Sequence, residues 1–223
     1  MSWWEFWKKT GQKADFVQSF LDLNSEPMPQ FRSIDQLSFV VLDTETSGFE
    51  VANDHVLSFG AVKIQELKIK VSQSIELFPN TQKPPNQTVK IHGILDQPER
   101  ISLQAFSQAA LEFMGNGILV GHHVGFDLEM LLRIFRDFGL EKIPNPVLDT
   151  MNLAIRLDHG PLADINQINR ENYSLDSLCL RFGIEMDDRH TAAGDAFLTA
   201  QLLINLLAIA KKKGITTAAK LLR

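Results

Sequence analysis

Two acids, Asp43 and Glu45, stand one residue apart at the end of a short apolar run, Phe39-Val40-Val41-Leu42. Residues two apart on a strand project to the same face, so this spacing predicts two carboxylates side by side where a buried strand ends. Anions that close repel unless a proton or a cation lies between them. Donors that are all oxygen select hard ions, Mg²⁺ or Mn²⁺, over zinc. A solvated turn with an Asx cap uses the same residue types, and Gly48 just beyond fits a turn on either reading.

A third acid, Asp127, follows Val124-Gly125-Phe126 where a helix is expected to begin. An aspartate there also complements the helix dipole with no further role. The fourth element is His190-Thr191-Ala192-Ala193-Gly194-Asp195, ahead of the last long apolar stretch. Five residues of ideal helix rotate by about 140°, so this pair cannot share one helical face. The expectation is His190 on the entering loop and Asp195 in the first turns. Together these positions supply four carboxylates and one histidine. That set suits two-metal hydrolysis of a phosphodiester, one ion activating the attacking water and the other stabilising the leaving oxygen. An imidazole takes up the proton near neutral pH.

The elements that must position these groups follow from hydrophobic period. Val56 to Ile64 reads as a second strand. Leu67, Ile69, Val71, Ile75 and Leu77 alternate with polar residues, a strand with one wet face joined to its predecessor as a hairpin. Helical patterns then dominate: one capped by Ser102, one through Phe126, Met130 and Ile134, one with Leu153 and Ile155, one between Ser174 and Gly183, and a long one from Phe197 to Ile209. Ile118-Leu119-Val120 and Val147-Leu148 are short inner strands between them. Strands followed by alternating helix and strand predict an α/β fold, a mixed sheet with helices packed on it. Residues 1–36 read as a helical extension and linker holding Trp3, Trp4, Trp7 and Phe6, and residues 37–223 as one domain.

Composition narrows the classes. The hydrophobic share of 44% and charged share of 22% belong to a folded globular chain and exclude a disordered or fibrous one. A single cysteine, Cys179, excludes an internal disulfide and a cysteine-rich zinc site. No apolar run approaches the ~18 residues of a membrane span, so the expectation is a cytoplasmic protein. The net charge of −5 argues against a coat of basic residues along nucleic acid. It leaves room for an acidic site whose charge is neutralised by metal ions.

Asp43-x-Glu45, Asp127 and His190-x4-Asp195, in this order and spacing, resemble the DEDDh family of 3′-5′ exonucleases, typified by the proofreading epsilon subunit of bacterial DNA polymerase III. Ile91-His92-Gly93-Ile94, Gly121 to Asp127 and Leu148-Asp149-Thr150 support the match, which runs from about residue 38 to residue 210. The resemblance implies a ribonuclease H-like fold with a five-stranded mixed sheet. It implies that Asp43 bridges two ions, that Glu45 and Asp195 complete the nucleophile-side ion, that Asp127 supports the other and that His190 is the base. Thr44, Thr46, Ser47 and Gly48, with His92, Gly93 and Ile94, would hold the terminal nucleotide, an apolar side chain wedging its base. His123 and Phe126 complete that substrate-binding set, with Phe126 packing behind the site. Two positions depart from the family pattern: His123 stands where Asn is frequent, and Ser58 where an acid or Gln is frequent.

The expected substrate is the 3′ end of single-stranded DNA, released as nucleoside 5′-monophosphates. Short RNA is the alternative substrate, and a polymerase-associated binding module is the alternative class. The tryptophan-rich extension is expected either to pack on its own domain or to serve a protein partner or self-association. Arg223 closely follows the last helix, without the epsilon subunit's tether, which favours a stand-alone enzyme.

Overall fold

The computed structural model describes residues 13–81, 99–162, 164 and 167–223. Its strands are β1 (Ser38–Thr46), β2 (Val56–Gln65), β3 (Lys68–Pro79), β4 (Arg100–Ile101), β5 (Ile118–Gly121) and β6 (Val147–Asp149). They form one mixed sheet in the order β4-β3-β2-β1-β5-β6. β1, β2 and β3 pair antiparallel, whereas β5 runs parallel to β1 and β6 parallel to β5. Among the described residues, six strands replace the five expected. The addition, β4, pairs only Arg100 and Ile101 with Phe78 and Pro79, and two residues carry no readable period.

The helices are α1 (Asp15–Leu23), α2 (Leu103–Met114), α3 (Val124–Arg136), α4 (Thr150–His159), α5 (Leu175–Phe182), α6 (Ala192–Lys212) and α7 (Ala218–Leu221). They cover both faces of the sheet, and the period of two in β1 distributes its side chains between them. Phe39 and Val41 enter the core built with α4, α5, α6 and α7. Val40 and Leu42 enter the core built with α1, α2 and α3. β1 is therefore buried on both sides, which is why it reads as an unbroken apolar run.

Local chemistry sets the boundaries. Ser102 accepts from the Ala105 N–H at 3.1 Å and starts α2. Gly183, left-handed at φ +65°, closes α5. The strict alternation expected through β3 is interrupted: Val62 pairs with Ser74 but Lys63 with Lys70, so Val71 to Gln73 lie between registers and Val71 is exposed. By length and apolarity the 21 residues of α6 could cross a bilayer, yet 61% of that window is buried inside the protein. Its packing on β1 and β2 accounts for the apolar composition.

The described part of the N-terminal stretch is stitched into the body. α1 buries Val17 and Phe20 in the second core, and the Ala14 N–H donates to the Phe138 carbonyl at 3.0 Å. The chain before β1 pairs with the C-terminus: Ile34 N donates to Thr216 O at 3.0 Å and Ala218 N to Arg32 O at 2.9 Å. Trp3, Trp4, Phe6 and Trp7 lie outside the described residues, as do His92, Gly93 and Ile94.

Candidate active site

The parity that sends Phe39 and Val41 toward α6 carries Asp43 and Glu45 to the same side, and it sends Thr44 to the other. Asp195 meets the pair from the first turn of α6, 5% exposed. One carboxylate oxygen from each of Asp43, Glu45 and Asp195 lies within 4.8 Å of the other two. The approach of α6 depends on Gly60, which pairs with Asp43 across the β1–β2 ladder. A methyl group on Gly60 would overlap the backbone of Ala192 and Ala193.

Asp127 arrives from the opposite side, in the first turn of α3 and 6% exposed. Its Oδ1 accepts from the Thr44 N–H at 2.9 Å and from the Thr44 hydroxyl at 2.6 Å. The strand residue between the two acids thus holds the acid that comes from the other face. Asp149, at the end of β6, fixes where α3 begins: its Oδ2 accepts from Val124 N and its Oδ1 from Asn152 N, each at 3.0 Å. One aspartate caps two helices.

Crowding is visible in the electrostatics. Burial raises the Asp43 carboxyl well above its ordinary value, Asp127, Asp195 and Glu45 raise it further, and Arg189 partly offsets them. Burial pushes Asp127 up to about 6 against the pull of the Thr44 hydrogen bonds. Burial also raises Asp195, with Arg189 opposing. Such a cluster is neutralised by protons or by cations. Its donors are all carboxylate oxygens, and the residues therefore fit a hard divalent ion of the Mg²⁺ or Mn²⁺ kind.

His190 sits on the turn entering α6, as its spacing from Asp195 requires, in a left-handed conformation at φ +67°. Its N–H points to Asp195 Oδ1 at 3.4 Å. His123 is the exposed, left-handed N-cap of α3. The neighbouring His122 is engaged through Nδ1 with the Thr150 hydroxyl at 2.9 Å, and burial lowers its pKa to about 4.

Beyond β1 the polar side chains build the loop itself. Thr46 Oγ1 donates to Gly48 O at 2.8 Å, while Ser47 Oγ donates to Asp54 Oδ1 at 2.8 Å and accepts from His55 N at 3.0 Å. A side chain at Gly48 would collide with the Asp54 carboxylate. The Arg133 guanidinium, from α3, donates to the carbonyls of Val51 and Asp54. The loop tip is Phe49, 91% exposed, its ring centroid 6.2 Å from that of Phe126. Phe126 leans on the second core, half-buried.

Two neighbours of the site are not singled out by motif or spacing. Phe49 carries one signal, an aromatic directly after a turn glycine at the end of the acidic strand. Arg189 carries only its adjacency to His190, and in the structure it donates to Asp195 Oδ2 at 2.5 Å and to Asp176 Oδ1 at 2.5 Å.

The RNase T family model, described as an exonuclease, matches residues 40–203, which span every one of the four acids and His190. The chain belongs to this exonuclease family, the DEDDh type to which the motif order points. It is 33% identical over 195 residues to the DNA polymerase III subunit epsilon-like protein of Rhodobacter capsulatus, covering 82% of this chain and 26% of that protein. It is 31% identical to the PolC-type DNA polymerase III of Thermotoga petrophila, covering 96% of this chain and 15% of that one. The chain thus spans about a quarter or less of these relatives. Among solved structures, E. coli exonuclease I in complex with a dT13 oligonucleotide superposes with a TM-score of 0.61 at 19% identity, over 80% of this chain and 43% of that one. That likeness establishes the shared α/β, ribonuclease H-like fold.

Proposed function

We propose that this exonuclease domain removes nucleoside 5′-monophosphates from the 3′ end of single-stranded DNA, in the cytoplasm, with two divalent ions. The observation that carries the reading is the convergence of Asp43, Glu45 and Asp195 from β1 and α6 within 4.8 Å. Divalent ions held there would supply the positive charge that hydrolysis of a phosphodiester by water requires. Asp43, Glu45 and Asp195 would hold them, and Asp127, its orientation set by Thr44, would add a fourth carboxylate. His190, on the turn bonded to Asp195, takes up the proton of the water. Phe49 and Phe126 offer an aromatic platform to the terminal base, an arrangement that tolerates any base because each has a π-face. Backbone groups of Thr44 to Gly48 and the N-cap residue His123 hold the terminal nucleotide, and the family motif adds His92, Gly93 and Ile94 to that set.

The relatives that support the DNA reading are named as parts of DNA polymerase III, and exonuclease I has been solved with dT13. The same relatives support association with a replicative polymerase. The test is product analysis on 5′- and 3′-labelled DNA and RNA strands, with Mg²⁺, with Mn²⁺ and with chelator. Stepwise shortening of 5′-labelled DNA that stops with chelator and in Asp43→Asn is expected. Cleavage that survives chelation, or that persists in Asp43→Asn, would overturn the reading; preferential shortening of RNA would replace its substrate.

A further inference from the structure

Both oxygens of Asp195 are already engaged. Oδ1 faces the His190 N–H at 3.4 Å, and Oδ2 accepts from Arg189 at 2.5 Å. Arg189 also holds Asp176, in the first turn of α5, at 2.5 Å. The two carboxylates differ in setting. The side chain of Asp195 is 7% exposed, whereas that of Asp176 is 52% exposed. The guanidinium therefore bridges a buried acid of the ion cluster and a wet acid outside it.

We propose that Arg189 is the built-in counter-cation of the ion cluster, occupying Asp195 when no divalent ion is bound and withdrawing to Asp176 when one enters. The inference rests on the assignment of Asp43, Glu45 and Asp195 as ion ligands. Its physical basis is like-charge crowding: three carboxylates, one buried and two half-buried, with oxygens within 4.8 Å of one another need positive charge nearby to remain ionised. Arg189 supplies it because a guanidinium keeps its charge at any accessible pH and its fork reaches two carboxylates at once. A divalent ion competes for the same Asp195 oxygens and meets the repulsion of the fixed positive charge. Asp176 makes withdrawal possible, since the released guanidinium keeps one carboxylate partner in a place where water screens it. The affinity of the site for ions is thus set by a contest between two acids for one arginine.

This arrangement has a sign that a merely structural arginine lacks. If Arg189 only oriented Asp195, its loss would weaken ion binding. If it competes, its loss strengthens binding. Titration of the nucleic-acid-free protein with Mn²⁺, following the free-ion signal by electron paramagnetic resonance, reads the difference directly. Arg189→Gln is expected to bind Mn²⁺ on the order of tenfold more tightly than the parent chain, from the removal of one nearby positive charge at partial exposure. Asp176→Asn is expected to bind severalfold more weakly, because the guanidinium is left with Asp195 alone. Arg189→Lys, which keeps the charge, is expected to stay close to the parent. Unchanged or weaker binding in Arg189→Gln overturns the proposal, and so does unchanged or tighter binding in Asp176→Asn, which stands as the independent variant if Arg189→Gln fails to fold. Asp43→Asn separates this inference from its premise. Loss of Mn²⁺ binding there, without the Arg189 and Asp176 effects, leaves the ion site standing and removes the switch. No Mn²⁺ binding by the parent chain at millimolar concentration removes both.

Discussion

Thr44 gives both its hydroxyl and its backbone N–H to one oxygen of Asp127, at 2.6 and 2.9 Å, across 83 positions of sequence. The contact ties the acid carried by α3 to the strand residue that lies between Asp43 and Glu45. Thr44→Val keeps the shape and the backbone bond and removes the hydroxyl. A hydrogen bond to a charged acceptor contributes about 1.5–3 kcal/mol, so Asp127 should lose its fixed orientation while the fold survives. Turnover is expected to drop roughly tenfold or more with an unchanged circular dichroism spectrum. A turnover equal to that of the parent would mean that Thr44 does not aim Asp127.

Asp127 also governs a pH dependence whose sign follows from its raised pKa. Its carboxyl titrates near 6 in the folded chain against an ordinary value of 3.8. Between those values the folded chain holds a proton that the unfolded chain has released. Stability without ions therefore falls as pH rises through that window and levels off above it. His122, depressed to about 4 by burial, acts in the opposite sense over an overlapping range, since its proton is taken up first by the unfolded chain. The two are separated by comparison. The stability of Asp127→Asn relative to the parent, measured by urea unfolding in chelator, should increase between about pH 4 and about pH 6 and then stay constant. A difference that is flat across that range would contradict the burial of an ionisable Asp127.

Under the proposed function, replacing Phe49 should separate substrate handling from folding. At 91% exposure it contributes little to the core, and its ring partner Phe126 stays anchored without it. Stacking of a base on an aromatic side chain is worth about 1–3 kcal/mol. Phe49→Ala should raise KM for single-stranded DNA by roughly an order of magnitude, with kcat and melting temperature nearly unchanged. A fall in kcat at constant KM would instead assign Phe49 to the chemistry.

The four acids are legible in the sequence because each sits at a point where the hydrophobic pattern changes. Asp43 and Glu45 end an apolar run, Asp127 opens a helical period, and Asp195 opens the longest one. A period of two already places Asp43 and Glu45 on one face, and the cores on either side of β1 show which face that is. The remainder depends on contacts between distant segments. Thr44 reads as a spacer between two acids, yet it holds Asp127. Arg189 reads as one more surface charge beside Asp187 and Asp188, because nothing local reveals that Asp176 and Asp195 flank it. β4 leaves no trace because two residues have no period, and the break in β3 leaves none because a bulge keeps the alternation formally intact on both sides.

Gly60 is a second case of distant packing, and its role is testable. It pairs with Asp43 in the ladder and lies against Ala192 and Ala193 at the start of α6. Gly60→Ala forces the methyl group into that backbone, which cannot yield as a side-chain tip can. Moving the start of α6 moves Asp195 and the His190 turn with it. The variant should lose stability by about 1–3 kcal/mol, as overpacked cores do, and should lose activity out of proportion to that loss. Wild-type activity in a folded Gly60→Ala protein would show that the approach of α6 to β1 is not what assembles the cluster.

Under the proposed function, replacing His190 should divide proton transfer from ion binding. Its φ of +67° is a left-handed conformation in which asparagine is better tolerated than alanine, so His190→Asn is the variant that best preserves the turn. The backbone N–H that faces Asp195 is retained, and the carboxylate cluster keeps its donors. Loss of a positioned general base costs about 10²–10⁴-fold in rate. His190→Asn should therefore bind Mn²⁺ within about twofold of the parent while hydrolysing DNA at least a hundredfold more slowly, with partial recovery as pH is raised and hydroxide replaces the missing base. If turnover and ion affinity fell together, the histidine would be holding Asp195 rather than moving a proton. The rate at high pH would then stay low.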